Sequence, residues 1–370
     1  MAKLASKLLN RHMGQIGVSA KAYRERHLMV LARKAAGRKA VYLDLNYWID
    51  LQRASSGAAR EVEHAEMLNL LREAASEGRA FCPPSTGLLM EIGKQRDRES
   101  RIALGRLIDE LSVGIGLVAD DEMVAVETAH MLHAVLARKP LGPPRDRIWV
   151  PLGCMMGDAT PPIPPLGTRQ RQQLMEKAWF DTLVAAKAED LLSAESDDTR
   201  LAWADLARDL SERSQAHAHE ATTFEALLDA ELRGAADASA EIIKVGGVAL
   251  FDDPTMPGAR EMTPEAWANT IYLTLRAAPD ARKAVPSLYV RAGLHALVRW
   301  NRTQKFKPND IHDFAHAAAA LGYCDVFLTE GPLKDLIGRG PLKLRDASGC
   351  RVASAPAEAL ALVRDLLERA

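Results

Sequence analysis

The chain has almost no net charge: 48 Lys and Arg face 49 Asp and Glu, leaving a formal −1 over 370 residues. No bulk field therefore draws it onto nucleic acid or a membrane, and an anionic partner must be met by a local patch. Cysteine is scarce. Cys82, Cys154, Cys324 and Cys350 lie far apart with no CxxC pair, which argues against a structural zinc site and a disulfide framework and fits a reducing cytoplasm. No apolar run approaches the roughly 18 residues of a membrane span. Nor does a short apolar segment near the start precede a small-residue cleavage site, so neither a secreted nor a membrane-spanning protein is expected. A Gly-rich phosphate loop and a DxD motif are also missing, which weakens the case for a phosphatase or another phosphotransfer enzyme. Aromatics make up only 5% of the chain, whereas 48% is apolar and rich in Ala and Leu, a composition that favours a helical globular protein.

At roughly 150 residues per domain, the length allows two folded units or one with a large insertion. Residues 1–39 hold ten Lys or Arg and a single acid, Glu25, and read as a basic helical leader, a composition that organellar transit peptides share. Val41–Asp44 is a short β-favouring run that ends in an acid and is followed by a helical pattern from Asn46. A second such unit follows: Gly78 stops an amphipathic helix over 61–77, Arg79–Cys82 forms a short strand, and Ser85 caps the next helix. Two strand-to-helix units in succession point to an α/β beginning with parallel strands.

From about 101 to 300 helical patterns dominate and read as an insertion. Eight prolines between 140 and 165 predict a long extended loop within it. The α/β character then returns over 301–370. Pro308 and a side-chain cap at Asn309 start a helix that runs to Gly322, Asp325–Thr329 reads as a buried strand, and a short strand is expected near Leu342 before a C-terminal helix from Pro356.

Acids recur where these units leave their strands or open their helices: Asp44 after the first strand, Glu91 in the helix after the second, Asp310 and Asp313 in the helix before the third. Open parallel sheets place ligand sites at the carboxyl ends of their strands, so these acids can converge across the long insertion. Asp310 and Asp313, three apart, share a helix face. Carboxylates gathered in one pocket need cations to stay ionised, and oxygen donors select Mg²⁺ or Mn²⁺. Taken singly, each acid reads better as a helix cap or a solvated helix-face charge than as a ligand.

Three segments share a pattern. In VYLDLNYWIDL (41–51) a strand ends in Asp44, Asn46 follows two positions later, and a helix begins. In PPSTGLLMEIGK (83–94) Ser85 precedes Glu91 by six. In PNDIHDFAHAAAALGYCDVFLTE (308–330) Asp313 precedes Thr329 by sixteen. Their order and spacing resemble the three motifs of PIN domains. The resemblance covers 40–100 and 305 to about 350. It implies a three-layer α/β/α fold with a parallel sheet, assembled from both chain ends around the helical insertion.

It further implies a metal-dependent nuclease, most often an endoribonuclease and in bacteria often a toxin, with Asp44, Glu91 and Asp313 holding Mg²⁺ or Mn²⁺ and with Asn46, Ser85 and Thr329 in support. PIN domains often carry a fourth acid two positions after the Thr, where this chain has Gly331. That ligand stays open among Glu330, Asp325, Asp310 and Asp335. Asp310 and Glu330 are taken as helpers, and Asp325 as a residue that bonds backbone at the start of its strand. RNA, with DNA as the alternative, is the expected partner, and an inhibitory protein or a second copy of the chain is compatible with the family.

His316 lies one turn beyond Asp313, where it orients a carboxylate, touches phosphate or, the reading preferred, sits satisfied in the core. Tyr47, Trp48 and Tyr323 read as core or pocket walls. Arg299, Arg302, Lys305 and Lys307, immediately before the acidic helix, are the expected phosphate contacts. A non-catalytic interaction protein with a degenerate acidic site is the competing expectation, resting on Gly331.

Overall fold

The computed structural model describes residues 11–135, 143–157, 168–193, 200–216, 222–251, 258, 260–301, 303–344 and 348–369. Helix α1 (Ala20–Ala36) starts on Ser19, whose hydroxyl accepts the Ala22 N–H. Strand β1 (Lys39–Leu43) follows. Asp44 then caps α2 (Leu45–Ser55), accepting the N–H groups of Asn46 and Tyr47 at 3.1 and 3.3 Å. Helix α3 (Val62–Ser76) turns at Gly78, whose φ of +76° favours glycine, into β2 (Ala80–Phe81). Ser85 caps α4 (Thr86–Gly93) through the Leu88 N–H. Both strand-to-helix corners are thus local side-chain solutions to unsatisfied first-turn donors.

The insertion contributes α5 (Arg98–Ser112), β3 (Ile115–Leu117), α6 (Asp120–Val135), β4 (Trp149–Pro151), α7 (Arg169–Ala185) and α8 (Ala188–Ser193). It continues through α9 (Arg200–Ala216), α10 (Phe224–Ala238), α11 (Ala240–Phe251), α12 (Pro264–Ala277) and α13 (Pro286–Trp300). The Pro-rich stretch is not a bare extended loop. Its described part, 143–157, holds two 3₁₀ turns and β4, which pairs antiparallel with β3 so that Gly116 faces Val150; residues 140–142 and 158–165 lie outside the described residues. Each strand of a two-stranded ribbon keeps an open edge, where a proline without an N–H removes no ladder bond. The helical pattern over 169–193 divides at Ala186, because Asp109 accepts the N–H groups of Ala188 and Glu189 at 2.7 and 3.2 Å and so starts a new helix.

The last segment holds α14 (Pro308–Tyr323), β5 (Val326–Leu328), α15 (Gly331–Gly338), β6 (Arg351–Ala353) and α16 (Pro356–Glu368). Asn309 does not cap α14. The Asp310 carboxylate does so, accepting the Lys307 N–H at 2.8 Å. No strand forms at Leu342, which instead packs on Gly293 of α13 so closely that a Cβ there would meet it at 2.8 Å. The strand sits further on, at β6.

Four strands make one parallel sheet in the order β2-β1-β5-β6, with Val41, Tyr42 and Leu43 opposite Val326, Phe327 and Leu328. The chain steps outward from β1 to β2 on one side and from β5 to β6 on the other. Strand order therefore reverses between β1 and β5, the crevice where open α/β sheets hold ligands. Both central strands are buried at successive residues, so both faces of the sheet are covered, as parallel sheets require. The buried core runs from the sheet into the inserted helices without a break, so the insertion is built around the sheet. One tie within it is polar. Glu127 of α6, fully buried, accepts the Ser287 N–H at 3.0 Å, the Ser287 hydroxyl at 2.7 Å and the Tyr323 hydroxyl at 2.6 Å, joining α6 to the start of α13 and the end of α14. Burial pushes its carboxyl up to about 7 against the pull of those donors.

Candidate active site

Asp44 stands at the crevice. Its N–H donates to the Leu328 carbonyl at 3.0 Å, and its carboxylate accepts the first-turn N–H groups of α2 and the hydroxyl of Thr329, which is 1% exposed at the end of β5. Beside it the Asn46 amide donates to Glu330, the residue that precedes α15. The ends of β1 and β5 are thereby interlocked through four side chains: Asp44, Asn46, Thr329 and Glu330.

A second arm comes from the seam between α4 and α14. Tyr42, two residues before Asp44 and hence on the same sheet face, places its hydroxyl 2.7 Å from Ser85 Oγ and 2.6 Å from His316 Nδ1. His316 Nε2 donates to Glu91 at 2.8 Å. The imidazole is 1% exposed and partnered at both nitrogens, so it is a satisfied core residue that also contacts a carboxylate, and neither ring nitrogen is left for a phosphate. One turn nearer the start of α14, Lys94 Nζ donates to His312 Nε2 at 2.8 Å. The relay from Ser85 through Tyr42 and His316 to Glu91 carries its hydroxyl protons in one direction when the imidazole is neutral and in the other when it is protonated.

Environment separates the acids. Burial raises Asp44 to about 6, against the Thr329 hydroxyl, the Tyr47 N–H and the charge of His316, while Glu330 pushes it further up. Burial raises Asp313 to about 7; His316 opposes, and the charges of Glu91, Asp44 and Glu330 add. Glu91 moves the other way: burial alone would raise it, but the hydrogen bond and charge of His316 outweigh that and lower it. Burial would likewise lower His316, and its bond to Glu91 with the charges of Glu91, Asp44 and Asp313 raises it instead. The site thus holds one hydrogen-bonded carboxylate–imidazole pair and two carboxyls raised toward neutrality, a separation of the kind acid–base centres show.

Not every expected residue belongs here. Asp310 is committed to the backbone at the start of α14. Asp325 sits before β5, at the opposite end of the sheet, and accepts the Ala40 N–H at 2.8 Å, the backbone role expected of it and not that of a ligand. The fourth acid at the crevice is Glu330, whose charge reaches both Asp44 and Asp313. Gly331 has open space around its Cβ position. Among the expected phosphate contacts, Arg299 is paired with the partly buried Glu231, Lys305 and Lys307 are exposed ahead of α14, and Arg302 lies outside the described residues. Tyr42 and Lys94 were missed. Tyr42 was within reach of sequence, because residues two apart on a strand share a face; the Lys94 bond crosses 218 residues.

All the carboxyls present hard oxygen donors, and their mutual repulsion is of the kind a divalent cation relieves. Among the described residues, however, no group of three or more His, Cys, Asp or Glu side chains is close enough to hold a metal ion as arranged. Glu91 is already engaged by the His316 imidazole at 2.8 Å. A cleft of about 530 Å³ lies at the other end of the sheet, between the Tyr323–Asp325 turn, Arg145 and Lys283. No helix among the described residues is long and apolar enough to cross a membrane. Comparison of the chain with protein-family models, curated proteins and solved structures finds no match.

Proposed function

We propose that the chain is a metal-dependent nuclease of PIN-like architecture, most readily an endoribonuclease, with Asp44, Glu91 and Asp313 as its acidic centre and Glu330 as the fourth acid. The observation that carries this reading is the meeting of these acids beside the β1–β5 switch point, with Asp44 and Asp313 both raised toward neutrality. Strands from both chain ends in one parallel sheet, covered on both faces, suit the three-layer arrangement that the motifs imply.

Mg²⁺ or Mn²⁺ at these carboxyls would supply an activated water and neutralise charge that develops on a phosphodiester. The protein's share is orientation and protons. Two backbone N–H groups and Thr329 fix the rotamer of Asp44. Asn46 fixes Glu330, and His316, aimed by Tyr42, fixes Glu91. Asp313, at about 7, is able to give or take a proton near neutral pH.

The test is Mg²⁺- or Mn²⁺-dependent cleavage of single-stranded RNA, lost in Asp44→Asn. A wild-type protein that cleaves neither RNA nor DNA, and whose melting temperature ignores millimolar Mn²⁺, would refute it. One observation favours the second reading, a non-catalytic interaction protein: the acids meet without closing to ligating distance.

A further inference from the structure

The basic start of the chain has no part in the acidic centre. Residues 1–39 carry ten Lys or Arg and one acid, which leaves 38 against 48 in the remainder, so the near-neutral total conceals a cationic leader on a body of net charge −10. The described part of that leader is docked by one face. The Tyr23 hydroxyl donates to Asp181 of α7 at 2.8 Å, and His12 Nε2 lies 3.1 Å from the same carboxyl. Lys177 donates to the Gln15 carbonyl at 2.8 Å and Lys34 to the Val113 carbonyl at 2.9 Å. Tyr23, Ala32 and Ala35 are buried and mark the inward face of α1. The outward face follows from the helix period: Ala22, Arg26, Met29 and Arg33 recur at intervals of four, three and four, and all are exposed. Arg26 and Arg33 stand two turns apart, ~10.5 Å along the axis. Among the described residues neither is drawn into an ion pair. Glu25, the lone acid, lines the cleft between α1 and α7 instead.

We infer that this outward face of α1 is a docking surface for single-stranded RNA, with Arg26 and Arg33 as its phosphate contacts. The inference rests on the nuclease reading for the identity of the anion. Charge complementarity carries it: a chain without a bulk field meets a polyanion at a local patch, and here cations are gathered on a face that holds no acid. In the run before α14, by contrast, Arg299 is held by Glu231. A lipid surface fits the face less well. Its apolar share is two side chains, Met29 and Val30, 55% and 61% exposed, while Tyr23, Leu28 and Leu31 are turned to the protein. Helix α1 leads into β1 at the end of the sheet away from Asp44, so holding the strand is a separate task from chemistry at the acids.

The experiment measures binding of a labelled single-stranded RNA by anisotropy across a salt series in EDTA, where the empty acids only repel the strand. Arg26→Gln/Arg33→Gln should reduce the slope of log K against log salt by about 1.4, two contacts at about 0.7 each, and weaken binding roughly 50-fold at about 50 mM salt. Arg26→Lys/Arg33→Lys should keep the wild-type slope, because the charges remain. Both double variants should melt at the wild-type temperature, since the two side chains are exposed. An unchanged slope in the Gln variant while the wild type binds RNA would overturn the docking face and leave the nuclease reading standing. Wild-type binding to phosphatidylserine vesicles, lost in Met29→Ser/Val30→Ser and joined to that unchanged slope, would overturn it in favour of a membrane. A wild type that binds no RNA in EDTA at low salt would overturn it as well. The expected slopes without any Mn²⁺-dependent cleavage would instead uphold the docking face and overturn the nuclease reading.

Discussion

Replacing Glu127 by Gln should change the pH dependence of stability more than stability itself. The carboxyl is pushed from 4.5 to about 7 by complete burial. A rise of ~2.5 units corresponds to ~3 kcal/mol by which its ionised form is less favourable in the folded than in the unfolded chain. Between about pH 4.5 and 7 the folded chain holds a proton that the unfolded chain has released. Stability from this group is therefore full below the unfolded value, falls as pH rises through the window, and is level above it. Gln cannot ionise. Its oxygen can still accept the Tyr323 and Ser287 hydroxyls, but its NH₂ must face the Ser287 N–H, a mismatch worth about 1–2 kcal/mol. The two proteins should thus cross: wild type is the more stable at pH 5, and Glu127→Gln gains on it by ~3 kcal/mol on going to pH 8. Urea unfolding followed by far-ultraviolet circular dichroism at unit pH steps reads the difference directly. A difference that stays constant with pH would show that Glu127 does not hold a proton through this window, and the account of the α6–α13–α14 tie would fail.

Three further outcomes are expected. Asp44→Asn, in metal-free buffer at pH 8, should melt at or above the wild-type temperature: ionised Asp44, raised from 3.8 to about 6, is disfavoured by ~3 kcal/mol, and Asn caps a helix as well as Asp does, so a large loss of stability would contradict the burial argument. Tyr42→Phe should lower stability by about 1–3 kcal/mol with little change in volume, because His316 Nδ1 and Ser85 Oγ lose a buried partner; chemical denaturation without that loss would remove the relay. Arg299→Ala should lower stability by roughly 2 kcal/mol, since it strands the partly buried Glu231, and should leave the salt dependence of RNA binding unchanged; a flatter slope would return Arg299 to the set of phosphate contacts.

What could be read in advance was local. Asp44 and Ser85 are caps, recognisable from a small oxygen-bearing side chain between a β-favouring run and a helical pattern; Asp44 directly follows β1, and Ser85 comes four residues after β2. What could not be read depends on partners far along the chain. The ribbon of β3 and β4 holds three residues in each strand, too few for a period to register, and β6 is no longer. Asp310 looked like a ligand because it shares a face with Asp313, yet the first-turn donor at Lys307 claims it. Glu127 was a mid-helix acid until Ser287 and Tyr323, 160 and 196 residues away, came to meet it.

The central pair of strands has a consequence for biosynthesis. Ala40 and Asp325, hydrogen-bonded across β1 and β5, are 285 residues apart. At about 5–20 residues per second a ribosome takes roughly 15–60 s to cover that distance. Through that interval the inner edge of β1 has no native neighbour, and the helices of the insertion have emerged before the strand against which the crevice closes. Asp44 and Glu91 are synthesised early, Asp313 and Thr329 late. A chain interrupted anywhere in the insertion carries Asp44 and Glu91 without Asp313 and Thr329 and leaves that strand edge open to mispairing.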